Sequence, residues 1–147
     1  MANLQNARSR ARRAVLQALY QWQLSGQTPN EVETQFVAEQ PLKHVDIEYF
    51  QQLLRNIPVH LEELDAALTP SLDRPVSQLD PIEKAILRIG AFELVHRPEV
   101  PWRVVINEAC EKLSYYPRFS KEVESFDHLG GMGGFGETFP SRIDAWV

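Results

Sequence analysis

Residues 80–96 constrain the fold of this chain more than any other segment. Asp80, Pro81 and Glu83 together form a strong helix-start signal, because aspartate can cap the first turn, proline is tolerated there and glutamate occupies the third position. The helix that follows, up to about His96, is apolar almost all round. A helix without a clean polar face usually lies at the centre of a bundle. We therefore expect residues 80–96 to form a central helix.

Apolar residues elsewhere in the chain also recur at helical spacing. A stripe that begins at Val15 returns three, four and seven residues later, which is the pattern of an amphipathic helix. Asn30 with Glu33 predicts a capping box at the start of a second helix. Further helices are predicted from three later start points: Asp46, Pro58 and Trp102. No segment shows sustained alternation of apolar and polar residues, so the sequence predicts an all-α fold without a sheet.

The length of 147 residues corresponds to one compact unit, or to two small ones. Helical spacing continues to a last predicted helix over 119–129. Beyond it, five of the seven glycines lie between Gly130 and Gly136, and glycine is costly in a helix. We predict one helical domain over 1–129 and a disordered, glycine-rich tail over 130–147.

Few features of the sequence indicate catalysis or a metal site. A single cysteine, Cys110, excludes an internal disulfide framework and a CxxC pair, and the four histidines form no HExxH motif. The segment from Gly131 matches GxGxxG, but the strand and helix that such a loop needs are not predicted around it. Neither a secretory signal nor a membrane-length apolar run is found. We expect a cytoplasmic protein without enzymatic activity, cofactor, metal or membrane association.

Positive charge is concentrated near the N-terminus. The chain carries a net charge of −5, yet its first 30 residues contain four arginines and no acidic residue. The four arginines are Arg8, Arg10, Arg12 and Arg13. All 20 acidic residues lie from Glu31 onward. Such an asymmetry is typical of a protein that contacts an anion at one place.

If the first helix extends back to Arg10, four polar residues share the face opposite the apolar stripe. They follow one another at intervals of three, four and three residues: Arg10, Arg13, Gln17 and Tyr20. Guanidinium groups can hold phosphates, an amide can read a base edge, and an aromatic ring can stack on a base. Positive charge near a helix N-terminus opposes the helix dipole, and such a conflict often marks a functional site. Spacing and charge alone are equally compatible with a solvated, frayed helix end.

Five segments between residues 7 and 111 resemble a known family in sequence, order and spacing. The segments are ARSRARR at 7–13, LQALYQWQ at 16–23, DIEYFQQLL at 46–54, EKAILRI at 83–89, and VP followed by VINEA within 100–109. They are similar to the bacterial transcription antitermination factors of the NusB family. The resemblance implies an all-helical fold of two small bundles packed together, with about six to seven helices.

The resemblance also implies a function without chemistry. NusB proteins bind the boxA element of ribosomal RNA leader transcripts as a heterodimer with NusE, a ribosomal small-subunit protein, and the complex helps RNA polymerase to read through terminators. Combining the arginine-rich helix with the family pattern, the predicted RNA-binding residues are Arg8, Arg10, Arg12, Arg13, Gln17, Tyr20 and Glu83, and the predicted partner-binding residues are Glu83 and Lys84. A homodimer is also compatible with the family.

The chain departs from the family pattern after the VINEA segment. The family continues into a glycine-containing turn and a last helix, whereas here residues 115–119 read YYPRF and a glycine-rich stretch follows. Divergence, or a shifted reading frame near Lys112, would each produce this change. Two alternatives therefore stay open. The first is a helical protein-interaction module without RNA affinity. The second is a detached NusB-like RNA-binding domain of a ribosomal RNA methyltransferase. The length of the chain argues against this second alternative.

Overall fold

The computed structural model describes residues 4–114 of the protein. They contain six α-helices: α1 (Leu4–Ser25), α2 (Pro29–Glu39), α3 (Ile47–Asn56), α4 (Leu61–Leu68), α5 (Pro81–His96) and α6 (Trp102–Ser114). Short 3₁₀ turns lie at Pro58–His60, Thr69–Ser71 and Val76–Gln78. No strand occurs between residues 4 and 114, and the predicted all-α class is confirmed. The predicted helix over 119–129, the GxGxxG segment and the predicted tail over 130–147 lie outside the described residues.

The chain divides into two compact units, Met1–Leu61 and Glu62–Val147. In the first unit, α1 packs against both α2 and α3, and α2 packs against α3. Its core contains apolar side chains that are at most 4% exposed: Val15, Leu19, Phe36, Phe50 and Leu53. Rings of the two phenylalanines stack with their centroids 5.5 Å apart. This three-helix packing buries one side of α1 and leaves the opposite side exposed.

The second unit is organised around α5, as the sequence predicts. Ten of the 16 residues of α5 are buried, and the helix packs against α6. A bidentate ion pair also joins α5 to α4, in which Nε and Nη2 of Arg88 each lie 2.9 Å from a carboxylate oxygen of Asp65. Because the Arg88 side chain is only 11% exposed, this pair holds a charged group at the edge of the core without leaving it unsatisfied. None of the helices between residues 4 and 114 combines the length and apolar character that a membrane span requires.

The predicted capping box of α2 is wrong by two residues. The cap is Thr28, whose side chain accepts a hydrogen bond from the backbone N–H of Glu31, while the Glu31 carboxylate accepts one from the Thr28 N–H. Two overlapping pairs match the capping-box pattern, Thr28 with Glu31 and Asn30 with Glu33. Pro29 favours the first pair because its fixed φ suits the first helical position. Glu33 instead accepts two hydrogen bonds from Arg55 of α3, at 2.7 and 2.8 Å, which raise the pKa of the Arg55 guanidinium.

Candidate nucleic-acid interface

Helix α1 has one buried face and one exposed face. Ala11, Val15 and Leu19 are at most 1% exposed and lie against the other helices of the first unit. The exposed face carries the four predicted residues Arg10, Arg13, Gln17 and Tyr20, which we call the outer face of α1. Because the helix begins at Leu4, it extends back beyond Arg10, and the 3-4-3 spacing brings these side chains into one row. Tyr20 is 40% exposed, so part of its ring is accessible for stacking.

The other two arginines of the cluster face the interior of the first unit. The guanidinium carbon of Arg8 lies 4.5 Å from the centroid of the Tyr49 ring, and that of Arg12 lies 5.6 Å from it. Arg12 is only 2% exposed, and Tyr49 is equally buried. Cations are attracted to the face of an aromatic ring, more strongly where water is excluded. The structure thus separates the inner arginines, Arg8 and Arg12, from the outer arginines, Arg10 and Arg13.

Asp46 connects the first turns of α1 to the start of α3. Its Oδ1 caps α3 by accepting a hydrogen bond from the Tyr49 N–H at 3.0 Å, and its Oδ2 lies 3.8 Å from Nε of Arg8. The backbone N–H of Asp46 also donates to the carbonyl oxygen of Ala7 at 3.1 Å. These three contacts hold the N-terminal part of α1 against the start of α3. They thereby fix the position of the outer arginines on α1.

Replacing Asp46 with alanine is expected to lower the free energy of unfolding by about 1–2 kcal/mol, because the cap of α3 is lost. The Asp46→Asn variant keeps a side-chain oxygen that can accept from the Tyr49 N–H and removes only the charge opposite Arg8. A partly exposed ion pair at 3.8 Å contributes at most about 1 kcal/mol, so the asparagine variant should lose less stability than the alanine variant. Urea denaturation, monitored by circular dichroism, measures the free energy of unfolding of both variants. Equal losses would mean that charge, and not the cap, stabilises this corner.

Glu83 and Lys84 lie in the first turn of α5, in the second unit. The predicted start of this helix is confirmed, since Oδ1 of Asp80 accepts a hydrogen bond from the Ile82 N–H at 3.0 Å. Lys84 is half-buried, whereas Glu83 is only 2% exposed. Glu83 precedes the buried Ile86 by three residues and therefore lies on the inner side of α5. Its side chain is therefore buried in this conformation, and its role as an RNA and partner contact stays a prediction.

A depression of about 310 Å³ lies beside the outer face of α1. On one side it is lined by Arg10, Arg13 and Gln17, and on the other by residues 40–43 and Val45, which connect α2 to α3. Lys43 contributes a third cationic side chain, and none of the described residues that line the depression is acidic. The site therefore combines positive charge from two separate segments of the first unit.

Residues 9–120 match the model of the NusB family. The chain belongs to the NusB family. A transcription antitermination protein NusB from Nitrosococcus oceani is 55% identical over 108 residues, which cover 74% of this chain and 72% of the relative. The protein of the same name from Alcanivorax borkumensis is 50% identical over 127 residues, covering 86% and 82%. That from Idiomarina loihiensis is 49% identical over 105 residues, covering 71% and 76%.

In the sequence of this NusB-family chain, the spacing of the inner arginines relative to the apolar stripe indicates that they are buried, a pattern that the prediction of RNA-binding residues does not use. Arg8, Arg12, Val15 and Leu19 follow at intervals of four, three and four, so both arginines continue the buried stripe of α1. Lys43 had no comparable signal. It lies in a connection without periodicity, 30 residues after Arg13, and reaches the outer face only through the packing of α1 against α2 and α3.

Proposed function

We propose that the chain is an RNA-binding transcription antitermination factor. In this proposal it binds the boxA element of ribosomal RNA leader transcripts together with NusE, and so promotes processive transcription by RNA polymerase. The relatives it resembles are named transcription antitermination proteins. The observation that carries the proposal is the exposed row of two arginines, a glutamine and a tyrosine on α1, in a chain of the NusB family. The protein acts in the cytoplasm, by binding and not by chemistry.

The outer face of α1 has the groups that single-stranded RNA requires. Arg10 and Arg13 hold phosphates, Gln17 contacts a base edge, and Tyr20 stacks on a base. The row spans about 15 Å at the rise of an α-helix, so one stretch of extended strand can contact all four residues. Stacking on an aromatic side chain contributes about 1–3 kcal/mol per base, which makes Tyr20 a substantial contact.

The inner arginines have a different role in this proposal. Arg12 is buried against Tyr49 and acts as a positioning residue, and Arg8, a quarter exposed and close to Asp46, lies at the edge of the RNA path. Each phosphate contact with single-stranded RNA contributes about −0.7 to the slope of log K against log salt. The α1 helix therefore contributes about −1.4 through its outer arginines, and not the −2.8 or so expected from all four. Glu83, a buried carboxylate, contributes nothing to this slope, and its contact with RNA and partner stays a prediction.

Titration of a fluorescently labelled, single-stranded boxA RNA tests the proposal. We expect weak binding by the chain alone and at least about tenfold tighter binding when NusE is present, because coupling between two ligands typically changes the affinity by about 5- to 150-fold. RNA with a scrambled boxA sequence is the control. An affinity that NusE does not change would contradict the heterodimer. Binding of NusE without any binding of RNA would favour the protein-interaction module.

A further inference from the structure

We infer that the depression beside α1 holds one nucleotide of the bound RNA strand, with Lys43 as an additional phosphate-binding residue. The inference rests on the proposed function and extends the RNA site from α1 to the connection between α2 and α3. It assigns a role to a loop that neither the helical pattern nor the arginine cluster includes. Its basis is the charge, the shape and the backbone conformation of this loop.

The charge of the depression is unusual for this chain. Within residues 4–114 its lining includes Arg10, Arg13 and Lys43 and no carboxylate, although acidic residues outnumber basic ones in the protein. The acidic residues that flank the loop have other contacts. Glu39 accepts hydrogen bonds from Gln35 at 3.3 and 3.4 Å, and Asp46 caps α3 beside Arg8. Three cations around one depression therefore produce a positive potential that suits a phosphate.

The remaining lining fits a nucleobase and its sugar. Leu42 and Val45 provide apolar surface, and Gln17 and Gln40 are exposed amides that can donate to or accept from a base edge. A volume of about 310 Å³ lies at the small end of ligand pockets, which begin at about 300 Å³. This size suits a single nucleotide, with its phosphate toward the cations. The strand then continues along the outer face of α1.

The backbone of the loop that carries Lys43 forms a turn. Leu42 to Val45 form a tight turn, in which the Val45 N–H donates a long hydrogen bond of 3.4 Å to the Leu42 carbonyl oxygen. His44, at the third position, has a φ of +64°, a left-handed conformation in which glycine is usual at this place in a turn. A non-glycine residue in this conformation carries strain, and such strain is concentrated at binding sites. The turn presents Lys43 opposite the outer arginines.

The experiment compares the chain with a Lys43→Ala variant in binding to single-stranded boxA RNA, without NusE, across a salt series. One phosphate contact should contribute about fivefold to the affinity at 0.1 M salt and about 0.7 to the slope. We therefore expect the Lys43→Ala variant to bind about fivefold more weakly at 0.1 M salt, with a salt slope that is shallower by about 0.7. The matched control, Arg103→Ala, removes one positive charge from an exposed position on α6 in the second unit and should change neither. Thermal unfolding checks that all variants are folded.

A second readout locates the contact. In amide NMR spectra of the wild-type chain, RNA should shift the signals of residues 42–45. If the signals of residues 42–45 do not shift, the nucleotide site is overturned and the proposed function stays intact. The same conclusion follows if Lys43→Ala leaves the affinity unchanged while alanine at Arg10 and Arg13 reduces it. Equal losses for Lys43→Ala and Arg103→Ala would also overturn it, since general attraction would then explain both. A wild-type chain that binds no RNA would overturn the proposed function and this inference together.

Discussion

Replacing Arg10 and Arg13 together with alanine is expected to weaken the binding of single-stranded boxA RNA about 25-fold at 0.1 M salt. Each guanidinium that contacts a phosphate contributes about fivefold at this salt concentration, and the two contributions multiply. The slope of log K against log salt should become shallower by about 1.4. Stability should change little, because both side chains are exposed and lie beyond the first turn of α1. Fluorescence anisotropy across a salt series measures the affinity and the slope.

The matched control for this variant removes two positive charges from the second unit. Arg74 and Arg103 are both exposed, and their double replacement by alanine changes the net charge by the same amount. If RNA binding depends on the outer face of α1, the control keeps the wild-type slope. A control that weakens binding as much as the variant would show that the RNA responds only to total charge.

The parts of the fold that depend on local sequence could be predicted. Helix α5 begins at its aspartate and proline and is buried along most of its length, because both properties are encoded within a single segment. The outer face of α1 follows from spacing in the same way. The predicted start of α2 is wrong because two capping patterns overlap there, Thr28 with Glu31 and Asn30 with Glu33, and only Pro29 distinguishes them.

Spacing places Arg8 and Arg12 on the buried stripe of α1, but the residues that they contact depend on tertiary structure and could not be predicted. The inner arginines face inward because Tyr49, about 40 residues further along the chain, lies beneath them. The Tyr49 ring stabilises the positive charge of both arginines, and the Asp46 carboxylate also stabilises that of Arg8. Arg10 and Arg13 lie on the exposed face, where RNA phosphates can reach them. One arginine-rich stretch thus divides into a structural pair and a candidate binding pair.

This division predicts opposite outcomes for neighbouring arginines. Replacing Arg12 with alanine is expected to lower the free energy of unfolding by about 3 kcal/mol, because the change removes a buried cation over Tyr49 and leaves space where its stem packed. The midpoint of thermal unfolding should fall by on the order of 10 °C. Arg10→Ala, on the exposed side of the same helix, should change the stability by less than about 0.5 kcal/mol. Urea and thermal denaturation of both variants measure the difference.

Arg12→Met separates stability from RNA contact. Methionine keeps much of the apolar stem in the buried site but has no charge, so the variant should retain more stability than Arg12→Ala. Because Arg12 makes no phosphate contact in the proposed site, the methionine variant should keep the wild-type salt slope for boxA RNA. A slope shallower by about 0.7 in the folded variant would show that Arg12 contacts a phosphate. Its burial against Tyr49 would then have to be released when RNA binds, and the structural pair would be a second part of the RNA site.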